Sequence, residues 1–285
     1  MEGKTVIVTG SNSGIGKETV RDLAKRGCRI IMACRNLLSA NQYRDEIANQ
    51  TGNQNIVVMK LDLSSLQSVR EFSRSFLEKE SRLDVLIHNA GYANTFTKTV
   101  SVDGIELTMA TNHYGPFLLT HLLIDILKKS APSRIIVVAS SWYRVWSPDI
   151  ENLNPIDNNP WLLYYASKGC NIMFTMELAK RLQGTNVTAN CLHPGVIDTG
   201  IWRNTHTLLK PGLFIWSKLM KNPVIGAQTT IYLATSEEVK DVSGKYFKDC
   251  KEDEPRPYIT NPEKCLTLWE ESIKIVKLQP TDPKI

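Results

Sequence analysis

The chain has 285 residues, 42% hydrophobic and 22% charged, a balance that fits a globular protein with a substantial core and excludes a disordered chain. Its formal net charge of +5 comes from 34 basic residues scattered among 29 acids, so no basic stripe of the kind that grips nucleic acid is present. Six cysteines, Cys28, Cys34, Cys170, Cys191, Cys250 and Cys265, show no CxxC and no regular spacing; they read as buried free thiols rather than a zinc knuckle or a disulfide framework. Met1-Glu2-Gly3-Lys4 runs straight into Thr5-Val6-Ile7-Val8 with no basic, long-apolar leader, and no apolar stretch reaches the ~20 residues a bilayer span needs. Neither a signal peptide nor a membrane span is expected, and the sequons at Asn49 and Asn186 would matter only in a secreted chain.

Along the chain, short β-branched runs alternate with amphipathic helical patterns, the signature of stacked βαβ units and a parallel sheet. The expected strands are Thr5–Thr9, Arg29–Ala33, Ile56–Lys60, Val85–Asn89, Arg134–Ala139, Asn186–Leu192 and one near Lys245–Phe247. Between them the spacing predicts helices over Lys17–Arg26, Leu37–Thr51, Leu66–Glu80, Ile105–Lys129 and Tyr164–Leu182. No repeat or Pro/Gly-rich linker divides the order, so residues 1–285 read as one domain. Two segments break the rhythm: Trp142–Trp161, and residues 201–223 with Trp202, Phe214, Trp216 and Met220, expected to be a substrate-binding lid. Residues 248–285 read as a C-terminal extension.

Gly10-Ser11-Asn12-Ser13-Gly14-Ile15-Gly16 lies between the first strand and the first helix. A glycine-rich turn there lets backbone N–H groups and a helix N-terminus meet a pyrophosphate, although glycines also make plain turns. An acid after the second strand would pair with the ribose hydroxyls of NAD. That place reads Ala33-Cys34-Arg35-Asn36, with no carboxylate and with an arginine suited to a 2′-phosphate, so NADP(H) is the expected cofactor. Asp62-Leu63 and Asn89-Ala90-Gly91 fall at the carboxyl ends of the third and fourth strands, on the cofactor side.

Tyr164 and Lys168 are four residues apart on an expected helix and so project from one face. A neighbouring ammonium would favour the phenolate, letting Tyr164 exchange a proton with a carbonyl or alcohol oxygen as hydride moves to or from a nicotinamide. Tyr165 has no lysine four residues on, so the spacing selects Tyr164. Ser140 and Ser141 end the fifth strand, where a hydroxyl can bond the reacting oxygen; Ser141 is the choice of the two. Asn112 stands in Thr111-Asn112-His113-Tyr114-Gly115-Pro116, where Gly-Pro invites a helix break that would free a carbonyl to hold a water beside Lys168. After the sixth strand come His193, read as structural, then Pro194-Gly195-Val196 and Thr199, a turn and a hydroxyl expected at the nicotinamide.

In this order the motifs TGxxxGIG, NAG, helix Asn, Ser, YxxxK and PG with a following Thr resemble the short-chain dehydrogenase/reductase superfamily over nearly the whole chain. The resemblance implies an α/β doubly wound Rossmann fold of about seven parallel strands with helices on both faces, and a tetrad Asn112, Ser141, Tyr164 and Lys168. Within the superfamily, the stretches at 33–36, 112–120 and 226–235 look like the retinol dehydrogenases of the 11 to 14 type, an NADP-preferring group acting on retinoids and other lipophilic carbonyls. Its members usually carry an N-terminal membrane anchor, whereas this sequence begins at the first strand. Ala139, Tyr165, Ala166 and Gly169-Cys170-Asn171 depart from the usual pattern without removing a tetrad member.

The expectation is therefore an NADP(H)-dependent oxidoreductase for a lipophilic carbonyl or alcohol, cytoplasmic and with no metal; a separate alternative makes Trp202–Met220 a surface for peripheral membrane contact rather than a substrate lid. The resemblance also implies a homodimer formed through the helices at Ile105–Lys129 and Tyr164–Leu182. The alternative from another class is a regulatory or scaffold protein that keeps NADP(H) and turns nothing over.

Overall fold

The computed structural model describes residues 1–94, 97–196 and 222–285. One eight-stranded sheet runs through them in the order β3-β2-β1-β4-β5-β6-β7-β8. The strands are β1 (Thr5–Thr9), β2 (Arg29–Cys34), β3 (Ile56–Lys60), β4 (Val85–His88), β5 (Ser133–Val138), β6 (Val187–His193), β7 (Tyr246–Lys248) and β8 (Lys251–Asp253). Seven of them run parallel, as expected. The eighth is an antiparallel addition: β7 and β8 share a register through Phe247 and Glu252 and are joined by Asp249 and Cys250, both at positive φ (50° and 59°). A two-residue hairpin turn demands that conformation. Its usual marker, a glycine, is absent, and β8 reads Lys-Glu-Asp, so the sequence carries no strand signal there.

Helices α1 (Gly14–Lys25), α2 (Leu37–Thr51) and α3 (Leu66–Lys79) follow the first three strands. Expected boundaries for α2 are met because both ends are specified locally: Asn36 caps the first turn through Ser39 N–H (3.2 Å), and Gly52 ends the helix at φ 75°. The long helix expected from Ile105 to Lys129 is broken. A short α4 (Leu107–Met109) passes into a π-helical turn, Ala110–Tyr114, and then into α5 (Gly115–Lys129). Pro116 has no N–H to offer the carbonyl of residue 112, four positions back, so the regular ladder cannot continue there. Gly115 is needed for space, since a Cβ would strike the Leu63 backbone.

After β5 comes a tight turn, Ser141–Arg144, and then α6 (Pro160–Arg181). Farther along the chain lie α7 (Pro223–Thr235), α8 (Pro257–Thr260) and α9 (Pro262–Ile275). The periodicity read above does not mark α7, because it is buried on several sides and lacks a continuous polar stripe.

The sheet divides the core in two. Val6 and Val8 of β1 pack with Val20 and Leu23 of α1 and Leu233 of α7. Ile7, pointing the other way, joins Phe72 and Phe76 of α3, Phe117 of α5, Phe174 of α6 and Trp269 of α9. Strands covered on both faces must be apolar throughout, which is why β1, β2 and β4 carry so little alternation. Strand order reverses between β1 and β4, and that switch point opens a crevice at the carboxyl ends of the strands.

Candidate active site

A cleft of about 620 Å³ occupies this crevice, within the usual size range of a ligand site. It is lined from the glycine loop by Gly10, Asn12, Ser13, Gly14 and Ile15, from the β2 end by Arg35 and Asn36, and from the later strand ends by Asp62, Leu63, Asn89, Ala90 and Gly91. Tyr164, Lys168, Pro194, Gly195 and Val196 complete the predicted set found there. Ser11 and Gly16 serve from behind. The Ser11 hydroxyl is 3.4 Å from the Cys34 sulfur, fully buried, and a Cβ at Gly16 would collide with the Asn89 amide and the Gly10 carbonyl.

The loop geometry fits a dinucleotide pyrophosphate. Gly10 has φ +63°, and a Cβ there would lie 2.8 Å from the Ala90 Cα, so any other residue would push the β1 and β4 ends apart. Asn89 donates from Nδ2 to the Thr9 and Gly10 carbonyls (2.9 and 3.3 Å), clamping the loop to the neighbouring strand end. Ser13 precedes α1 without capping it, and no acid stands in the first turn, so the helix start suits an anion. At the far end Arg35 and Asn36 meet Ser39 and Tyr43 on the cleft wall; Asn12 Nδ2 donates to Ser39 Oγ at 2.8 Å. Among the described residues Arg35 forms no ion pair.

At the other end, α6 carries Tyr164 and Lys168, 7% and 3% exposed. The Lys168 Nζ donates to the Val138 carbonyl (2.9 Å) and lies 5.7 Å from the centre of the Tyr164 ring. Burial lowers the ammonium to about 8, and the same burial pushes the phenol well above its usual range. A hydrogen bond with Ser140 works against that rise. The phenol is therefore held protonated at neutral pH, beside a lysine whose ammonium burial weakens.

The structure corrects the choice of serine. Ser141 lies away from the cleft, its hydroxyl 3.1 Å from His193 Nε2 at the end of β6. Ser140 lines the cleft and meets Tyr164. Backbone at Ser140 is extended (φ −164°, ψ 148°), so successive side chains point to opposite sides, and only one serine of the pair can face the tyrosine. The Ser140 hydroxyl also accepts from the Trp142 N–H (3.2 Å), fixing the start of the turn.

Asn112 sits behind the cleft, 1% exposed, while its neighbour Thr111 lines it. Its Oδ1 accepts from the Tyr92 N–H (2.7 Å), and its Nδ2 donates to the Tyr92 carbonyl and to Ser167 Oγ (2.9 and 3.0 Å). Ser167 Oγ in turn donates to the Tyr164 carbonyl at 2.7 Å. The side chain thus ties the loop after β4 to the helix that bears the tyrosine. Thr199 and residues 201–221 of the expected lid lie outside the described residues.

Lining residues that the sequence does not single out are Ser39, Tyr43, Tyr92 and Thr111. Trp142 stacks on Tyr165 (centroids 5.5 Å, planes 12° apart), and Trp161 meets Tyr165 edge-on at 6.0 Å. An aromatic wall results beside Tyr164, of which only Trp142 faces the cleft. The concentration of aromatics between 142 and 165 is its sequence signal.

A switch-point crevice with a glycine loop at one end and a buried Tyr–Lys pair at the other defines a nicotinamide-dependent oxidoreductase. A model of the short chain dehydrogenase family matches residues 4–208, and the chain belongs to that family. Retinol dehydrogenase 14 of Mus musculus is 46% identical, covering 95% of this chain and 85% of its own length. Retinol dehydrogenase 13 of Homo sapiens is 44% identical, covering 97% and 86%. Among solved structures, an uncharacterized protein from Mycobacterium paratuberculosis aligns with TM-score 0.77 and 30% identity over 97% of this chain and 94% of its own. A short chain dehydrogenase from Shigella flexneri complexed with NADP shares the fold at TM-score 0.69 and 23% identity, over 88% and 98% of the two chains. No helix among the described residues is long and apolar enough to cross a membrane.

Proposed function

We propose that the protein is an NADP(H)-dependent reductase of lipophilic aldehydes or ketones, or the corresponding alcohol dehydrogenase, with Tyr164 as its acid/base. The observation that carries the reading is the meeting of Ser140, Tyr164 and Lys168 at one end of a cleft whose other end holds Arg35, Asn36 and Ser39. Arg35 has no carboxylate to pair with among the described residues, and a 2′-phosphate fits a guanidinium beside the start of α2, whose first turn contains no acid.

When bound, the nicotinamide supplies or receives the hydride. Tyr164 gives its proton to the carbonyl oxygen as the carbon is reduced, or takes it back from the alcohol in the reverse direction. Ser140 holds that oxygen against the phenol. Lys168 stabilises the phenolate left behind, and its Nζ on the Val138 carbonyl keeps the ammonium aligned beneath the ring. Pro194-Gly195-Val196 bound the nicotinamide end of the cleft.

Trp142, backed by Tyr165 and Trp161, supports an apolar substrate. The retinol dehydrogenase names of the relatives point the same way and make retinal or retinol, with other lipid aldehydes and steroids, the first compounds to test. A homodimer through α5 and α6 has less surface to use than expected. Helix α9 lies along α6, and its Trp269 reaches Phe117 and His121 of α5 (4.9 and 5.3 Å).

The test is a panel of such carbonyls and alcohols with NADPH and NADH, run on the natural sequence and on Tyr164→Phe. Turnover with NADPH that falls by about 10²–10⁴ in the variant, with cofactor binding retained, is the expected result. Equal turnover by the variant removes Tyr164 from the chemistry. Tight NADPH binding without turnover on any compound supports the scaffold alternative.

A further inference from the structure

Asn112 and His113 are consecutive on the π-helical turn and serve opposite sides of it. Asn112 holds Tyr92 and Ser167 on the cleft side. His113 turns toward the C-terminal helix, its Nε2 2.9 Å from Ser272 Oγ of α9. Ser272 also donates to the Leu268 carbonyl (2.7 Å), which leaves its lone pairs able to receive an Nε2–H from His113. Burial lowers His113 to about 3, which keeps the ring neutral at working pH.

One turn before Ser272 on the same helix, Trp269 is 2% exposed and stacks on Phe174 (5.9 Å, 18°) while meeting Phe117 edge-on. Those two rings flank His113 at 6.1 Å each. The tail after α9 is strapped down as well. Arg70 holds Asp282 through two bonds of 2.8 Å, and Arg181 covers the Trp269 face (4.5 Å) and donates to the Ile285 carbonyl (3.4 Å). A helix of residues 262–275 thus lies directly behind the residues that shape the site.

A π-helical turn holds one more residue than the α-helix it interrupts, and it persists where its surroundings fix it. If the extra residue were absorbed, Asn112 would rotate off Tyr92 and Ser167. We propose that α9 is a positioning element of the active site, with Ser272 and His113 clamping the back of the π-helical turn so that Asn112 can hold the Tyr164 helix from the front. The inference rests on the proposed function, because it is Tyr164 turnover that the clamp serves.

The test compares Ser272→Ala, Ser272→Thr and Arg70→Met in the full chain. Ser272→Ala is expected to lower kcat about tenfold while NADPH binding, read by fluorescence, stays within twofold. Amide hydrogen exchange over residues 109–116 should rise in the same variant. Ser272→Thr, which keeps the hydroxyl, should restore both. Arg70→Met loosens the strap away from the turn and should lower the melting temperature with kcat unchanged. Should the alanine variant fail to fold, Ser272→Cys takes its place, with a weaker acceptor of similar size. Wild-type kcat and exchange in either variant, or a kcat loss in Arg70→Met as large as in Ser272→Ala, overturns the proposal. Absence of any turnover in the natural sequence defeats the proposed function instead, and leaves hydrogen exchange to decide the clamp.

Discussion

Two neighbouring stretches, Gly10–Ile15 and Arg35–Tyr43, supply most of the adenosine side of the cleft, whereas its catalytic side gathers Tyr92, Ser140, Trp142, Tyr164 and Lys168 from distant parts of the chain. The first side is made by a turn, a helix start and a cap. The second is made by two strand ends and one face of α6, brought together only when the helices pack on the sheet. The difference teaches that phosphate recognition here is largely a backbone property, whereas proton transfer depends on which way individual side chains point after packing.

The sharpest way to break that contrast is at the serine pair. Ser140→Ala is expected to lower kcat by about 10²-fold, in the range seen when a donor to a reacting oxygen is removed, while Ser141→Ala leaves kcat close to that of the natural sequence. Steady-state kinetics on the best substrate of the panel decide it; a larger loss at Ser141 would return the role to that residue. On the adenosine side, Arg35→Asp is expected to raise the KM for NADPH by about 10- to 100-fold, equivalent to ~1–3 kcal/mol for a charge-assisted contact, and to narrow or reverse the preference over NADH. An unchanged cofactor preference would remove Arg35 from the 2′-phosphate.

The smallest effect concerns pH. Lys168 is lowered to about 8 by burial, so its ammonium form is lost as pH rises through that value. Reduction rates should hold below pH 8 and then fall, approaching about tenfold per further unit once the neutral amine dominates, as measured by kcat/KM against pH. A rate that stays flat to pH 10 would mean that bound cofactor restores the ordinary lysine range. The sign for stability is opposite: a lysine depressed in the folded state gives up its proton more readily there than when unfolded. Folding therefore gains as pH rises from about 8 toward the ordinary lysine value near 10.5.

Strand and helix order was legible because both-sided burial makes β1, β2 and β4 largely apolar, and because α2 carries its own cap and stop at Asn36 and Gly52. The glycine loop, Arg35 and the Tyr164–Lys168 spacing were legible for the same local reason. Ser140 and Ser141 were not separable by residue type, since the two hydroxyls are chemically equal and only the extended backbone and the His193 contact tell them apart. Nor was the partner of His113, which lies 159 positions away on α9.

By itself, then, the sequence determined the parallel sheet and pointed to the proposed cofactor loop and the proposed acid/base pair, because each depends on periodicity, on glycine's freedom of φ or on a four-residue helical step. Tertiary structure alone decided which serine reaches the tyrosine, how the aromatic wall stands beside it and what lies behind the π-helical turn. Those are relations between surfaces that meet only when helices pack on the sheet, and a side chain's direction there follows from its backbone and its neighbours rather than from its name.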